Sequence, residues 1–511
     1  MECAAGCRIS WRLALALLRK IGPHVALPVV LFVVAYFGFP RLGQDIGLLY
    51  RVRYDLARPS FVHVSITLSK PDDGPLTLIV PRSVPGGYAQ RPYDPFIRNV
   101  QGLSTSDTFV EVRAEGMGPR WSVGAAGDRV RSIEYDVDVA WMEREILAAS
   151  DSSKIRDGYV GLLGYSILAI VEGRENQAIE LEASGPAGWP IFLTLAPQVP
   201  VASGAMRGHA ADFYALADSQ ILMGPKMQVR RVDGGVPLFL SAYVESDADL
   251  GQEAALAREA LDKVITYFGG APFANYTVAL ELLKPISERH EYNFSMEHLN
   301  SGTFYLSADR ALTAKSSEAE RETHRFNYAH HMAHSWIPKR AYGEGYLPFQ
   351  WEMAPVSDTI WFNEGFGRYV AIEALADAMP KAEGARYRKE KLVRLQGIVD
   401  SAPEFMRRMS LAELSREGSF LYSEDFRTGM NLFSRGALMA AEMDDAIRTQ
   451  SGGEKSLRDA LRHLVEWSVL NHRAFRVEEL PEIFREATGV DVKAILDRDL
   501  QPLEARPATR P

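Results

Sequence analysis

Cysteine is almost absent. The 511 residues hold two, Cys3 and Cys7, and both precede the first hydrophobic segment, so the remainder carries no internal disulfide. Stability has to come from packing and from any bound metal. A basic excess is missing too: 57 Lys and Arg stand against 66 Asp and Glu, a formal net charge of -9. With no zinc-finger or basic-helix pattern either, nucleic-acid binding is not expected. Repeats and disorder-prone stretches are lacking, since 47% hydrophobic and 24% charged residues is an ordinary globular balance. The length suits about two to four domains with sizeable cores.

Ile21 to Phe39 lacks Asp, Glu, Lys and Arg and follows Arg8, Arg12, Arg19 and Lys20. As a helix it rises roughly 28 Å, about the thickness of a bilayer core. Cleavage by a signal peptidase wants small residues in an Ala-x-Ala-like arrangement, whereas this segment closes with Tyr36-Phe37-Gly38-Phe39-Pro40. The expectation is an uncleaved signal anchor over about 21–39, single-pass, with the amino terminus cytoplasmic and the bulk exported to the periplasm or the cell exterior. Arg41, Arg51 and Arg53 soften that charge asymmetry, and a cleaved export signal is the alternative.

From about Arg51 to Val244 the pattern has period two: Val62, Val64, Ile66 and Leu68 alternate with His63, Ser65 and Thr67. Gly185-Pro186 and Gly234-Gly235 punctuate the runs. Near Gly251 the period changes, as Leu256, Ala260, Leu261, Val264 and Phe268 fall on one helical face ending at Gly269-Gly270. Strands are expected at Tyr276 to Leu283 and Gly302 to Leu306, then a helix from about Ser317 to Trp336. Another helix holds Trp361, Glu364 and Arg368 on one face, and from Lys381 the pattern is almost wholly helical. The expected organisation is α+β and multidomain. It comprises a tail and anchor over 1–44, a β-rich, sandwich-like domain over 45–248, an α/β domain over 249–380, and a helical domain with a frayed tail over 381–511.

The chain's chemistry centres on Asn327-Tyr328-Ala329-His330-His331-Met332-Ala333-His334, where three of the 11 histidines fall within five positions. On a helix His330 and His334 stand one turn apart on one face and can converge on one ion. That is the ligand spacing of the zinc signature His-Glu-x-x-His. What is lacking is the glutamate, because the second position is His331. Zinc in such sites takes two imidazoles and a carboxylate and keeps one position open; Glu364, thirty positions after His334, is the candidate third ligand. Taken alone, two histidines at this spacing also suit plain packing.

The sequence resembles the glycyl aminopeptidase family of gluzincin metallopeptidases, related to the alanyl aminopeptidases, over most of residues 60 to 500. The resemblance rests on Pro85-Gly86-Gly87-Tyr88, Arg98-Asn99-Val100, Pro186-Ala187-Gly188-Trp189, Tyr267-Phe268-Gly269, Met296-Glu297-His298-Leu299-Asn300-Ser301, the histidine helix, Trp361-Phe362-Asn363-Glu364-Gly365 and Ser434-Arg435-Gly436. It implies a β amino-terminal domain, a thermolysin-like domain and a helical domain. It also implies zinc on His330, His334 and Glu364, with the amino terminus of a peptide or protein held by Glu297. His298 would line the same cleft or pack beside it; Glu297 has a bland alternative as a salt-bridged strand end. Two departures matter. His331 stands where the family has its general base, and Phe433 where it has a tyrosine that stabilises the oxyanion. Whether Tyr422 restores that hydroxyl is open. The leading expectation is a membrane-anchored zinc metallopeptidase homologue, catalytically impaired, with an unknown partner protein. The alternatives are an active aminopeptidase using His331 as base, and a metal-free binding scaffold at the membrane.

Overall fold

The computed structural model describes residues 45–500 apart from 85, 117, 148–150 and 423–424. The expected anchor over about 21–39 lies outside the described residues, as does the tail after residue 500. Among the described residues no helix is long and apolar enough to cross a membrane. The fold is multidomain α+β, with sheets first and a helical region last.

Alternation builds the amino-terminal sheets. Strand Phe61–Asp72 buries every second residue along its first eight positions, so Val62, Val64 and Ile66 enter the core fully buried while His63 and Ser65 face outward. It pairs antiparallel with Leu48–Tyr54 and Val130–Asp138 inside a seven-stranded sheet, and two four-stranded sheets complete the layer. The polar face of this sheet carries an ion-pair cluster. Asp136 accepts two hydrogen bonds from Arg58 (2.8 and 2.9 Å) and one from Asn99 (2.9 Å), and its Oδ1 lies 3.1 Å from Nδ1 of His63. Burial by itself raises the Asp136 pKa, but hydrogen bonds from Arg58, Asn99 and His63 outweigh it and hold the group at about 2 against an ordinary 3.8. A depressed carboxylate stabilises fully above its unfolded pKa and loses that contribution as pH falls through the folded one. Asp136→Asn is therefore expected to cost about 1–3 kcal/mol at pH 7 and clearly less once the pH is brought down to about 2, where Asp136 is half protonated. Urea midpoints at the two pH values check this, and an equal deficit at both refutes it.

A mixed five-stranded sheet follows, ordered Gln228–Val232, Leu238–Val244, Tyr276–Leu283, Ser301–Ser307, Asn293–Glu297. Its first two strands come from residues 228–244, inside the stretch expected to belong to the β-rich domain. The physical reason is coverage. Leu238–Val244 is buried at six of its seven positions, as a strand covered on both faces must be, and it joins Tyr276–Leu283 in parallel through the crossover helix Leu250–Phe268. That helix starts where Asp249 accepts from the Gln252 amide (3.0 Å) and stops at Gly269 in the left-handed conformation. Its inward residues Leu256, Ala260, Leu261, Val264 and Phe268 are all buried, the larger ones contributing about 1.5–3 kcal/mol each.

Arg156 ties the two halves together, reaching Glu143 (2.5 Å), the Tyr292 hydroxyl (3.0 Å) and Glu245 (3.2 Å). Carboxy-terminal helices Lys381–Ser401, Leu411–Leu421, Phe426–Gln450 and Leu457–Asn471 close the other side. At Gly365 and Gly436 two backbones touch: a Cβ on Gly436 would stand 2.2 Å from the Trp361 carbonyl, and one on Gly365 2.5 Å from the Gly436 Cα. Only glycine permits that approach, which fixes the segment around Glu364 against the long carboxy-terminal helix.

Candidate metal centre

The histidine helix, Glu318–Ala333, opens on a capping box in which Ser317 and Glu320 satisfy each other's backbone amides. Its inner face is held by Glu253, which accepts from the Tyr328 hydroxyl (2.7 Å) and lies 3.1 Å from His324. Asn327 donates to Ser295 (3.1 Å) on the neighbouring edge strand Asn293–Glu297. His330 and His331 sit in the last turn and His334 caps it. The Phe268 ring stacks on Trp336 at 4.6 Å just beyond. Glu364 comes from a single π-helical turn, Trp361–Phe366, that precedes helix Gly367–Ala376; such widened turns recur at functional sites.

These supports bring His330, His334 and Glu364 into one triangle. His330 Nε2 and His334 Nε2 are 3.3 Å apart, and Glu364 Oε2 lies 3.4 Å from the first and 3.5 Å from the second. An ion about 2.1 Å from three tetrahedral ligands sets those atoms about 3.4 Å apart, so the triangle has the dimensions of a zinc site. His334 donates from Nδ1 to the Ile337 carbonyl (2.8 Å), which fixes the tautomer and leaves the Nε2 lone pair facing inward. All three residues are buried.

Charge points the same way. Glu297 and Glu364 are two buried carboxylates in one cavity. Burial lowers the His334 pKa, yet the pull of Glu297 and Glu364 carries it up to about 9, while burial and His334 push His330 down to about 3. Burial would raise Glu364, but the two imidazoles hold it well below the usual carboxylate range. The cavity gathers positive charge, and a divalent cation satisfies it without a protonated histidine.

His331 points elsewhere. Its Nδ1 lies 3.7 Å from Glu297 Oε2, and its ring meets Phe304 edge-on at 5.4 Å. Burial lowers its pKa against the opposing pull of Glu297, which favours the neutral imidazole. Glu297 ends the edge strand beneath the loop of Gly86, whose φ is +95° and whose Cβ would stand 2.6 Å from Glu297 Oε1. A glycine there lets the amino-terminal domain roof the carboxylate.

His298 does not open onto the cleft as a free ring. Nδ1 lies 3.0 Å from Asp218 and Nε2 2.9 Å from the Thr303 hydroxyl, while Asp218 also accepts from the Leu299 amide (2.6 Å) and from Lys339 (3.1 Å). Its place is to hold the turn that aims Glu297. Phe433 is buried, with the Arg368 guanidinium 5.3 Å from its ring and the Tyr422 ring 5.6 Å away. The Tyr422 hydroxyl is kept neutral, first by burial and then by the charge of Glu364, so a phenol does stand beside the position where Phe433 lacks one. The sequence does not single out Asn363, Tyr88 or Asp218 as site residues. Asn363 donates to the Tyr88 hydroxyl at 3.3 Å, and the only prior signal was that both lie in segments of the family resemblance.

Residues 49–225 match the Peptidase M61 N-terminal domain. Among solved structures, the chain is similar to the aminopeptidase N family protein from Idiomarina loihiensis, at 20% identity, 90% of this chain, 77% of that one and a TM-score of 0.76. It is also similar to the M1 zinc metallopeptidase from Deinococcus radiodurans, at 15% identity, 92% of this chain, 96% of that one and a TM-score of 0.53. No curated protein matches. The family match lies within the amino-terminal β-rich region. At these identities the solved structures establish the fold alone.

Proposed function

We propose that the protein is a zinc-binding metallopeptidase homologue whose cleft holds peptide amino termini but whose hydrolytic power is impaired. The observation that carries this is the 3.3–3.5 Å triangle of His330, His334 and Glu364 beside an imidazole in place of a carboxylate. Bound there, zinc supplies Lewis acidity toward a carbonyl oxygen. Glu297 offers an unpartnered buried oxygen for a terminal ammonium, and His298 with Asp218 orients it. His331 cannot accept a proton with one oxygen and present a second to the leaving amine. Phe433 cannot donate to an oxyanion. A base contributes roughly 10²- to 10⁴-fold and an oxyanion donor about 10²- to 10³-fold, so losing both removes ordinary turnover.

The purified chain from about residue 45 is expected to hold zinc at one ion per chain, to lose it in His334→Ala, and to leave aminoacyl and Gly-x substrates uncleaved. Chelator-sensitive turnover of those substrates refutes the impairment. The neutral state of His331 favours a second reading, an aminopeptidase with His331 as base, in which His331→Ala abolishes hydrolysis while zinc stays bound. The anchored, exported location is part of the proposal and rests on the sequence of residues 21–39. Full-length chain is expected in the membrane fraction, and its recovery in the supernatant counts against the anchor.

A further inference from the structure

We infer that His331, Glu297 and His334 form a second metal seat that alternates with the first. One ligand atom from each of these three buried residues lies within 4.8 Å of the others, and His331 Nδ1 stands 3.7 Å from Glu297 Oε2. His331 Nδ1 and Glu297 Oε1 are both buried without a hydrogen-bond partner, an arrangement that is unfavourable unless something is bound. Imidazole binds metals well where a phenyl or methyl group in its place would not. A carboxylate at this position would also be a metal ligand; what His331 contributes is an imidazole donor turned toward Glu297.

The two seats share His334. Its Nδ1 is committed to the Ile337 carbonyl, which leaves one lone pair, on Nε2, and one lone pair serves one ion at a time. The seats are mutually exclusive, so the chain holds a single ion with two possible positions. The first seat is the tighter, because its ligand atoms are already 3.3–3.5 Å apart. Those of the second must draw together, at a cost in affinity of roughly 10- to 100-fold. Zinc, cobalt(II) and nickel(II) all suit a seat of two imidazoles and one carboxylate. An ion in the second seat occupies Glu297, so it competes with a peptide amino group for the same carboxylate. A bound amino terminus thus drives the ion back to the first seat. The inference rests on the proposed zinc site only in sharing His334.

The test is cobalt(II) binding by equilibrium dialysis, with the visible spectrum as a second readout, on chains disabled at one seat. His331→Ala keeps the first seat and is expected to bind one ion. His330→Ala, and independently Glu364→Gln in case the first variant fails to fold, keep only the second seat and are expected to bind one ion about 10- to 100-fold more weakly with an altered spectrum. The double variant His330→Ala with His331→Ala is expected to bind none. Binding by His330→Ala and Glu364→Gln no better than by the double variant overturns the second seat and leaves the first intact. Binding by those variants but not by His331→Ala refutes the proposed zinc site and keeps the second seat. Triglycine is expected to displace cobalt from the His330→Ala chain and N-acetyl-triglycine is not; equal effects remove Glu297 from the seat.

Discussion

A His331→Glu variant is expected to hydrolyse aminoacyl substrates about 10²- to 10⁴-fold faster than the natural chain, with its zinc content unchanged. The backbone at 331 already lies in the last turn of the histidine helix, between two ligands, so the substitution changes the chemistry of the group and not its address. A carboxylate there faces Glu297, whose Oε2 now lies 3.7 Å from the imidazole. Like charges at that distance raise the pKa of one member, which brings a carboxylate toward the range where it both takes and returns a proton. An incoming peptide ammonium then neutralises Glu297. His331→Gln, similar in shape but not basic, is the control and should show no gain. Zinc is measured by mass spectrometry beside kcat/KM. A zinc-loaded, folded His331→Glu chain no faster than the natural one would show that the base is not what the cleft lacks.

Local periodicity made much of the fold legible. The helix Leu250–Phe268 and its stop at Gly269 follow from apolar residues three and four apart and a glycine at the end. Tyr276–Leu283 reads as a strand on its β-branched and aromatic content. The allocation of residues 228–244 to the mixed sheet was not legible. Leu238–Val244 is a strand under either assignment, and its partner Tyr276–Leu283 is fixed only by the crossover helix packing across the sheet. The π-helical turn at Trp361–Phe366 is also silent in sequence, because it answers to the backbone contact with Gly436, about seventy residues on.

Within the site the same division holds. His330 and His334 announce themselves by spacing on one helix, and Glu364 by its place on the next. His298 shows why residue type is insufficient: the sequence leaves open whether its imidazole lines the cleft or packs beside it, and only the fold shows Asp218, eighty residues earlier, and Thr303 occupying both its nitrogens. The second seat depends on which way His331 turns. Its direction toward Glu297 instead of the triangle is set by packing against Phe304, a contact between a helix and a strand that no local pattern records.

Phe433→Tyr, placed in the His331→Glu background, is expected to add a further 10²- to 10³-fold, about the contribution of one oxyanion donor. A buried hydroxyl needs a partner or it destabilises by about 1–3 kcal/mol, and here one is at hand. The Arg368 guanidinium carbon lies 5.3 Å from the Phe433 ring, and Arg368 Nε is buried with no hydrogen-bond partner. A phenol oxygen at 433 can accept from that guanidinium, which keeps its own proton for the cleft and lowers the cost of burying it. Tyr422 is the competing source of the hydroxyl, since its ring lies 5.6 Å from Phe433, near enough to Glu364 for that charge to raise its pKa. The two sources separate by kinetics in the His331→Glu background. If position 433 is the deficit, Phe433→Tyr raises kcat and Tyr422→Phe leaves it nearly unchanged. If Tyr422 already donates, Phe433→Tyr gains less than tenfold while Tyr422→Phe loses about 10²- to 10³-fold, and the oxyanion role passes to the end of helix Leu411–Leu421.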